Sequence, residues 1–197
     1  MLLWRAGGGS AIFTGNGGPR TTLVESSARF DSFVFSTFPP FTSPVLNDSG
    51  TMVFFARLNP GGEGIFTFSG GPITTIADSS GPFNGFRQPS LNNSGTVAFL
   101  GLLDTGESGI FTGPDPSADE VIGTGDPLFG STVAQFFMGR ESLNDSGQIA
   151  FYYELADGRI GVARADPLVI RVPEPGTLFL LVAGLLGAVW WRKDKST

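Results

Sequence analysis

Short apolar runs alternate with short polar gaps along most of this chain, and this alternation predicts β-structure. The runs are rich in Val, Ile, Phe and Thr, whereas Gly, Pro, Asn, Asp and Ser fill the gaps. β-Branched and aromatic residues favour strands, and the residue types of the gaps favour turns. The pattern predicts strands at residues 21–25, 73–77, 86–91, 96–103, 109–113 and 120–124.

A repeated unit organises these runs. Leu46, Leu91 and Leu143 each open a Leu-Asn-x-Ser-Gly turn that leads into an apolar strand, so the unit recurs after 45 and then 52 residues. A Gly-Ile-Phe-Thr-like element follows each turn, and a further copy of this element begins at Ala11 without its turn. The array thus begins in the middle of a repeat, and no secretory signal peptide precedes it. Either the true start lies upstream of this chain or the protein is not exported, and the repeats favour a missing beginning.

The residue types of the repeated turn have a physical reason. Asn accepts hydrogen bonds from its own backbone, and Gly supplies the left-handed conformation that closes a hairpin. The predicted turn residues, which are structural, are Asn47, Gly50, Asn92, Gly95, Asn144 and Gly147. After the turns, Phe54, Phe99 and Phe151 occupy equivalent positions, so we expect them to fill the core between neighbouring units.

The fold class predicted from this pattern is all-β, with tandem four-stranded blade-like repeats. A period of roughly 40–50 residues without a helical pattern is typical of propeller blades and other β arrays. We expect about 13 strands, which is fewer than a closed propeller normally has, and therefore an incomplete β-propeller or an open β fan. The predicted boundaries are a partial repeat at 1–45, repeats at 46–90 and 91–142, a partial repeat at 143–166, a linker at 167–172 and a C-terminal segment at 173–197.

Two resemblances concern the repeats. The hairpin from Pro89 to Phe99, Pro-Ser-Leu-Asn-Asn-Ser-Gly-Thr-Val-Ala-Phe, resembles the hairpin of TolB-type propeller repeats, in which a Pro-Asp-Gly turn precedes an Ile-Ala-Phe-like strand. The array is also similar to bacterial tandem-repeat proteins that are described by an Asn-x-x-Gly…Ala-Phe motif. These resemblances cover residues 9–166 and imply a repeat architecture without implying an activity.

The C-terminal stretch combines a rigid polar motif, an apolar run and a basic end. The polar motif is Val172, Pro173, Glu174 and Pro175, and its prolines favour extended backbone. An apolar helix is predicted at 177–191, and the basic residues Arg192, Lys193 and Lys195 follow it as the positive-inside rule expects. The run from 178 to 191 spans only about 21 Å of a bilayer core of about 30 Å. A buried core helix is the alternative, but such a helix normally has a polar face and this run has none.

This order of motif, helix and basic end resembles the PEP-CTERM sorting signal of Gram-negative bacteria, which an exosortase recognises. The match includes residues 172–175, the Leu/Gly/Ala-rich run and the pair Arg192 and Lys193, whereas Asp194 interrupts the basic cluster. The resemblance implies export and anchoring in the inner membrane, with the body outside the cytoplasm. It further implies cleavage near the Pro-Glu-Pro motif and transfer to the cell surface or the surrounding matrix.

Composition excludes several kinds of chemistry. The chain contains no Cys and no His, which excludes disulfides, thiol nucleophiles, Ser-His-Asp catalysis and His-ligated zinc. Its net charge is −6, and the part before Arg192 carries nine Arg against 17 Asp and Glu. Nucleic-acid binding requires a basic patch, so no nucleic-acid partner is expected. No cofactor is expected either.

Two acidic features remain as candidates for chemistry. Asp48 and Asp145 lie in oxygen-rich turns that suggest calcium, but Asn93 occupies the equivalent place, so we predict a turn without a metal. The Asn-x-Ser sequons in these turns are coincidental. An acidic loop could supply a carboxylate pair for glycoside hydrolysis, although a solvated loop is the expected reading; it comprises Asp115, Asp119, Glu120 and Asp126.

These observations predict an exported, surface-sorted protein without enzymatic activity. Its partners would be an exosortase, the membrane and an exopolysaccharide, and its body would be a structural or adhesive component of the envelope. The alternative is a propeller-type glycan-binding module or a glycan-active enzyme. That alternative requires acids that converge on one rim of the array, whereas the acids shared between repeats occur only in the turn.

Overall fold

The computed structural model describes residues 2–4, 10–14, 18–19, 21–26, 29–33 and 44–167. The described residues are all-β and contain no helix, which confirms the predicted class. The chain divides into two compact units, Met1–Asp166 and Pro167–Thr197. The predicted helix at 177–191 lies outside the described residues, as do the linker from residue 168 onward and the whole sorting segment.

Seventeen strands are present in the described part of the chain, and all of them lie in the first unit. They are β1 (Leu2–Trp4), β2 (Ser10–Thr14), β3 (Thr21–Glu25), β4 (Phe30–Ser32), β5 (Val45–Leu46), β6 (Met52–Leu58), β7 (Glu63–Phe68), β8 (Thr74–Asp78), β9 (Phe83–Phe86), β10 (Ser90–Leu91), β11 (Val97–Leu103), β12 (Ser108–Phe111), β13 (Glu120–Gly123), β14 (Pro127–Leu128), β15 (Ser131–Phe137), β16 (Ile149–Leu155) and β17 (Ile160–Ala165).

The strands form four antiparallel sheets that follow one another in chain order. Sheet 1 has the order β1-β2-β3, and sheet 4 has the order β14-β15-β16-β17. In sheet 2 the order is β4-β6-β7-β8, with β5 also paired to β6. Sheet 3 repeats this arrangement as β9-β11-β12-β13, with β10 also paired to β11. Each hairpin connects neighbouring strands, as short turns require.

The strand register relates the sheets to one another position by position. Phe54 pairs with Phe66 in sheet 2, and Phe99 pairs with Phe111 in sheet 3. In sheet 4, Phe151 pairs with Ala163. These pairs are separated by the same 45 and 52 residues as the repeated turns. The register therefore defines which residues are equivalent in different sheets.

Three hydrophobic clusters lie between consecutive sheets. One joins sheets 1 and 2 around Phe54, a second joins sheets 2 and 3 around Phe99, and the third joins sheets 3 and 4 around Phe151. This confirms the core position predicted for these three residues. The middle strands β6 and β11 show five consecutive buried residues because both of their faces are covered by a neighbouring sheet.

Four aromatic rings fill each of the first two cores in the same arrangement. In the core between sheets 1 and 2, four rings contact one another in tilted or edge geometry, with centroids 5.1 to 6.2 Å apart. They belong to Phe30, Phe33, Phe54 and Phe66. Between sheets 2 and 3 the corresponding rings are 4.9 to 6.0 Å apart, and they belong to Phe83, Phe86, Phe99 and Phe111. Such geometries are favourable for aromatic rings beyond the area that they bury.

The observed strands agree with most predictions and differ at the edges of the sheets. The strands predicted at 96–103, 109–113 and 120–124 lie within two residues of β11, β12 and β13. The strand predicted at 86–91 is wrong, because β9 and β10 are separate strands with Pro89 between them. Proline has no N–H to donate to a ladder, which explains the interruption. The count of about 13 strands was too low because it omitted β1, β14 and β15 and treated β9 and β10 as one strand.

Candidate functional site

The repeated turns lie before the middle strands, and each is closed by the side chain of its asparagine. Asn92 accepts hydrogen bonds on Oδ1 from Ser94 Oγ at 2.7 Å and from the backbone N–H of Thr96 at 2.8 Å. The backbone N–H of Gly95 donates to the Asn92 carbonyl, and Gly95 has a φ of 87°. Only glycine adopts such a φ without strain, so this position requires it.

The other two turns have the same construction. Asn47 Oδ1 accepts from Ser49 Oγ at 2.8 Å and from the N–H of Thr51 at 2.9 Å. Asn144 Oδ1 accepts from the N–H groups of Ser146 and Gln148 at 3.0 and 2.9 Å. Gly50 and Gly147 also have positive φ values, of 82° and 76°. The structure thus places all six predicted turn residues in three equivalent turns.

The three turns are also joined to one another by a ladder of asparagine side chains. Asn47 Nδ2 donates to the carbonyl oxygen of Asn92 at 3.0 Å, and Asn92 Nδ2 donates to that of Asn144 at 3.0 Å. Asn144 Nδ2 donates instead to Gln148 Oε1, within its own turn, at 2.8 Å. The first two repeats have Thr at the position of Gln148. At the third turn, which is the last of its kind in the sequence, the amide thus bonds within its own turn.

A second row of side chains runs beside the ladder on the exposed surface. Asn93 Nδ2 donates to Asp48 Oδ2 at 2.8 Å and to Asp145 Oδ2 at 3.1 Å. Asn93 Oδ1 accepts from the N–H of Asp48, and Asp145 Oδ1 accepts from the N–H of Asn93. An amide between two carboxylates can donate to both, whereas a third carboxylate would repel them. The order Asp48, Asn93 and Asp145 in the three turns thus allows neighbouring turns to form hydrogen bonds with one another.

Two further residues, Ser90 and Arg140, make polar contacts between sheets that the sequence did not indicate. The buried Ser90 hydroxyl donates to the carbonyl of Arg140 at 2.8 Å and accepts from the N–H of Leu143 at 3.1 Å. The guanidinium of Arg140 in turn donates to the carbonyl of Pro44 at 3.1 Å. These hydrogen bonds join the loop that contains Arg140, just before the third turn, to residues of the two preceding repeats. A single serine or arginine does not indicate in the sequence that its partner lies 50 or 96 residues away.

The acidic loop uses most of its carboxylates to hold its own backbone. Asp115 Oδ1 accepts from the N–H of Ser117, Asp119 Oδ2 accepts from the N–H of Asp115, and Asp126 Oδ2 accepts from the N–H of Gly123. The pKa of Glu120 is raised by partial desolvation and, to a smaller extent, by the charges of Asp126 and Glu107.

A polar cleft of about 630 Å³ opens between sheets 2 and 3. Asp31, Glu63 and Asp104 line it together with Arg57 and Asn84. Glu63 Oε1 accepts the backbone N–H of Phe86 at 3.0 Å, so this carboxylate holds sheet 3 against sheet 2. Within the described residues no group of three or more Asp and Glu side chains is arranged to hold a metal ion.

The residues of the sorting signal lie outside the described part of the chain. They are Val172, Pro173, Glu174 and Pro175, with the basic residues Arg192, Lys193 and Lys195. Among the residues that the structure describes, there is no helix with the length and apolarity needed to cross a membrane.

Comparisons with known families give two matches along the chain. Residues 5–139 match the model of a family of unknown function, DUF7453. Residues 171–193 match the PEP-CTERM protein-sorting motif, which confirms the resemblance noted for the C-terminal segment. Comparison with curated proteins and with solved structures gave no match.

Proposed function

The chain belongs to the family of unknown function DUF7453, and from its PEP-CTERM motif we propose that it is an exported, surface-sorted protein without enzymatic activity. The observation that carries this proposal is the match of residues 171–193 to the sorting motif. This motif implies a C-terminus that is anchored in a membrane, processing by an exosortase and sorting to the surface.

The residues of the motif suggest how the tail acts in this process. The prolines at 173 and 175 disfavour a helix in the residues before them, and this preference predicts an extended Glu174. The apolar helix proposed at 177–191 holds this segment at the membrane, and the basic residues after it remain on the cytoplasmic side. Cleavage near the Pro-Glu-Pro motif then releases the body.

The proposed role of the body is structural or adhesive, in an envelope that contains exopolysaccharide. Supporting this role, the polar residues that the repeats share form contacts between sheets, as in the bonds of Asn47, Asn92 and Asn93. The carboxylate of Glu63 in the cleft is also bonded to the backbone of the next sheet. Such residues favour a rigid scaffold over a site with free catalytic groups.

The repeats are proposed to be blades of an incomplete β-propeller or an open β fan. Consecutive antiparallel sheets with one hydrophobic cluster between each pair support this reading. Blade-on-blade packing of this kind is typical of radial β arrays.

Replacement of the motif glutamate tests the proposed sorting. We expect Glu174→Ala to leave uncut protein in the membrane fraction of the native host, because the exosortase no longer recognises the motif. The matched control is Asp194→Ala, which removes an acid just beyond the matched residues and is expected to allow processing. Immunoblots of membrane and surface fractions provide the readout. Equal release of both variants would contradict the role of the motif.

A further inference from the structure

The connection between sheets 3 and 4 is longer than the equivalent connection between sheets 2 and 3. Ser79 and Thr124 occupy the same position, because the hydroxyl of each accepts a backbone N–H from 16 residues earlier in the chain. Phe83, the first residue of β9, follows four residues after Ser79, whereas the equivalent Val133 follows nine residues after Thr124. The additional residues form a hairpin between β14 and β15, which the connection between sheets 2 and 3 lacks.

A phenylalanine occupies the turn of this hairpin in an unfavourable backbone conformation. Leu128 pairs with Ser131, so Phe129 and Gly130 are the two turn residues, and their φ values are 50° and 81°. Positive φ at both turn positions is characteristic of a type I′ turn, in which the first position is normally Asn, Asp or Gly. Among the described residues, Phe129 is the only one other than glycine with a positive φ. The geometry of the turn therefore does not explain the choice of phenylalanine.

Burial in the core does not explain this phenylalanine either. Phe129 is 60% exposed, although its ring contacts the ring of Tyr153 with centroids 5.5 Å apart. Tyr153 packs against the hydrophobic cluster between sheets 3 and 4, so Phe129 lies on the side of sheet 4 that faces sheet 3. Both of the sheets that flank this position are thus described, and the ring is nevertheless exposed. Backbone strain at such a residue is typical of functional positions.

A charged pair lies directly beside this ring. Nη2 of Arg159 donates to the carbonyl oxygen of Phe129 at 3.0 Å, and Nε and Nη2 donate to Asp157 Oδ2 at 2.9 and 2.7 Å. The exposed fractions of the Arg159 and Asp157 side chains are 53% and 41%. The hydrogen bond from Arg159 is the main cause that lowers the pKa of Asp157, so this carboxylate is ionised at neutral pH. The pair is specific to sheet 4, since Gly62 and Glu107 occupy the place of Arg159 in sheets 2 and 3.

We propose that Phe129, Asp157 and Arg159 form a binding site for a neutral glycan, whose sugar ring stacks on Phe129. We call these three residues the glycan site. One face of a pyranose carries C–H groups that pack against an aromatic ring, and its hydroxyl groups both donate and accept hydrogen bonds. The guanidinium of Arg159 supplies donors for these hydroxyl groups, and the Asp157 carboxylate supplies acceptors. The inference rests on the adhesive role proposed for the body and gives that role a location in the molecule.

The charges of the chain favour a neutral ligand over an acidic one. The guanidinium of Arg159 is already paired with Asp157, and the part of the chain before Arg192 carries nine Arg against 17 Asp and Glu. An acidic glycan would therefore be repelled by the net charge of the body and would find the cation of the glycan site already paired. An extended peptide would need successive side-chain pockets along a sheet edge, whereas this site offers one exposed ring.

A printed array of neutral and acidic microbial oligosaccharides tests the class of ligand. The full chain, in micelles of a detergent without a sugar headgroup, should bind neutral oligosaccharides, and calorimetric titration with the best of them gives the affinity. Because the ligand has no charge, this affinity should change less than about twofold when the salt concentration is raised tenfold. Binding to acidic glycans alone, an affinity that falls steeply with salt, or no binding would overturn the proposal. None of these results bears on export, which the processing of the tail tests separately.

Substitution of Phe129 separates binding from folding. Phe129→Asn places a preferred residue in the type I′ turn and removes the ring, so the urea midpoint should rise while the affinity falls at least about tenfold. Phe129→Tyr keeps a ring and should retain the affinity. The matched control is Phe137→Asn, because Phe137 is 52% exposed and contacts Tyr152 in the same sheet but lies outside the glycan site. This control should bind as the wild type does.

Two results with these variants would overturn the proposal. Unchanged affinity in Phe129→Asn would mean that the ring does not contact the ligand, and a lower urea midpoint in the same variant would assign the ring to the fold. An equal loss of affinity in Phe137→Asn would mean that the ligand binds elsewhere. If circular dichroism shows that Phe129→Asn does not fold, Arg159→Gln replaces it, and the same loss of affinity is expected because the donors of the guanidinium are removed.

Discussion

Replacing Asn92 with alanine tests whether the three turns stabilise one another or only themselves. Asn92 is 3% exposed, and its side chain makes three hydrogen bonds. Two of them close its own turn, and the third reaches Asn144 in the next repeat. A typical hydrogen bond contributes about 1 kcal/mol net, so the loss for Asn92→Ala is about 3 kcal/mol.

Asn144→Ala is the matched control for this prediction. Its Oδ1 also accepts two bonds within the turn, but its Nδ2 donates only to Gln148, and the residue is exposed. Water can replace much of what is lost, so we expect about 1 kcal/mol. Urea unfolding followed by circular dichroism measures both losses. Equal losses for Asn92→Ala and Asn144→Ala would refute the idea that the ladder stabilises the array.

Three further substitutions test individual contacts by the same unfolding measurement. Asn93→Asp places a third carboxylate between two aspartates and removes the amide that donates to both, so we expect a loss of about 1 kcal/mol at pH 7. The loss should become smaller at acid pH, where protonation of the introduced carboxyl removes its charge, and a pH-independent loss would contradict this reasoning. Gly109→Ala should cost about 2 kcal/mol, because a Cβ there would lie 2.5 Å from the ring of Phe111, whereas Gly71→Ala meets nothing within 4 Å and should be neutral. Glu120→Gln should stabilise the protein slightly at pH 7, since the folded state raises the pKa of Glu120, and the gain should vanish below its ordinary value of 4.5. A gain that instead grows at low pH would contradict the direction of that shift.

Local sequence signals were sufficient to predict the turns and the central strands of sheet 3. The strands β11 and β12 follow from runs of β-branched and aromatic residues, and the turns follow from the preference of Asn and Gly for their positions. The burial of Phe54 and Phe99 between sheets followed from their equivalent places in the repeat. Each of these signals is contained within about ten residues of sequence, which is the range over which strand and turn preferences act.

The contacts between repeats could not be predicted in this way. The partner of Asn47 Nδ2 is a carbonyl 45 residues away, and a backbone carbonyl has no residue type that a sequence can reveal. The same limit applies to Ser90 and Arg140, whose partners are 50 and 96 residues away. The long strand β15 was also not predicted; it lies in the repeat 91–142, which is longer than the repeat 46–90. The polar contacts between sheets are therefore known only from the structure.

The most direct test of the proposed sorting is the mass of the mature C-terminus in the native host. The account predicts a body that ends between residues 172 and 177 and is found outside the membrane, because the exosortase cuts near the Pro-Glu-Pro motif. An intact Thr197 in the membrane fraction would contradict processing and leave only an anchor. An intact Thr197 in the cytoplasm would contradict export itself, and with it the central claim about this protein.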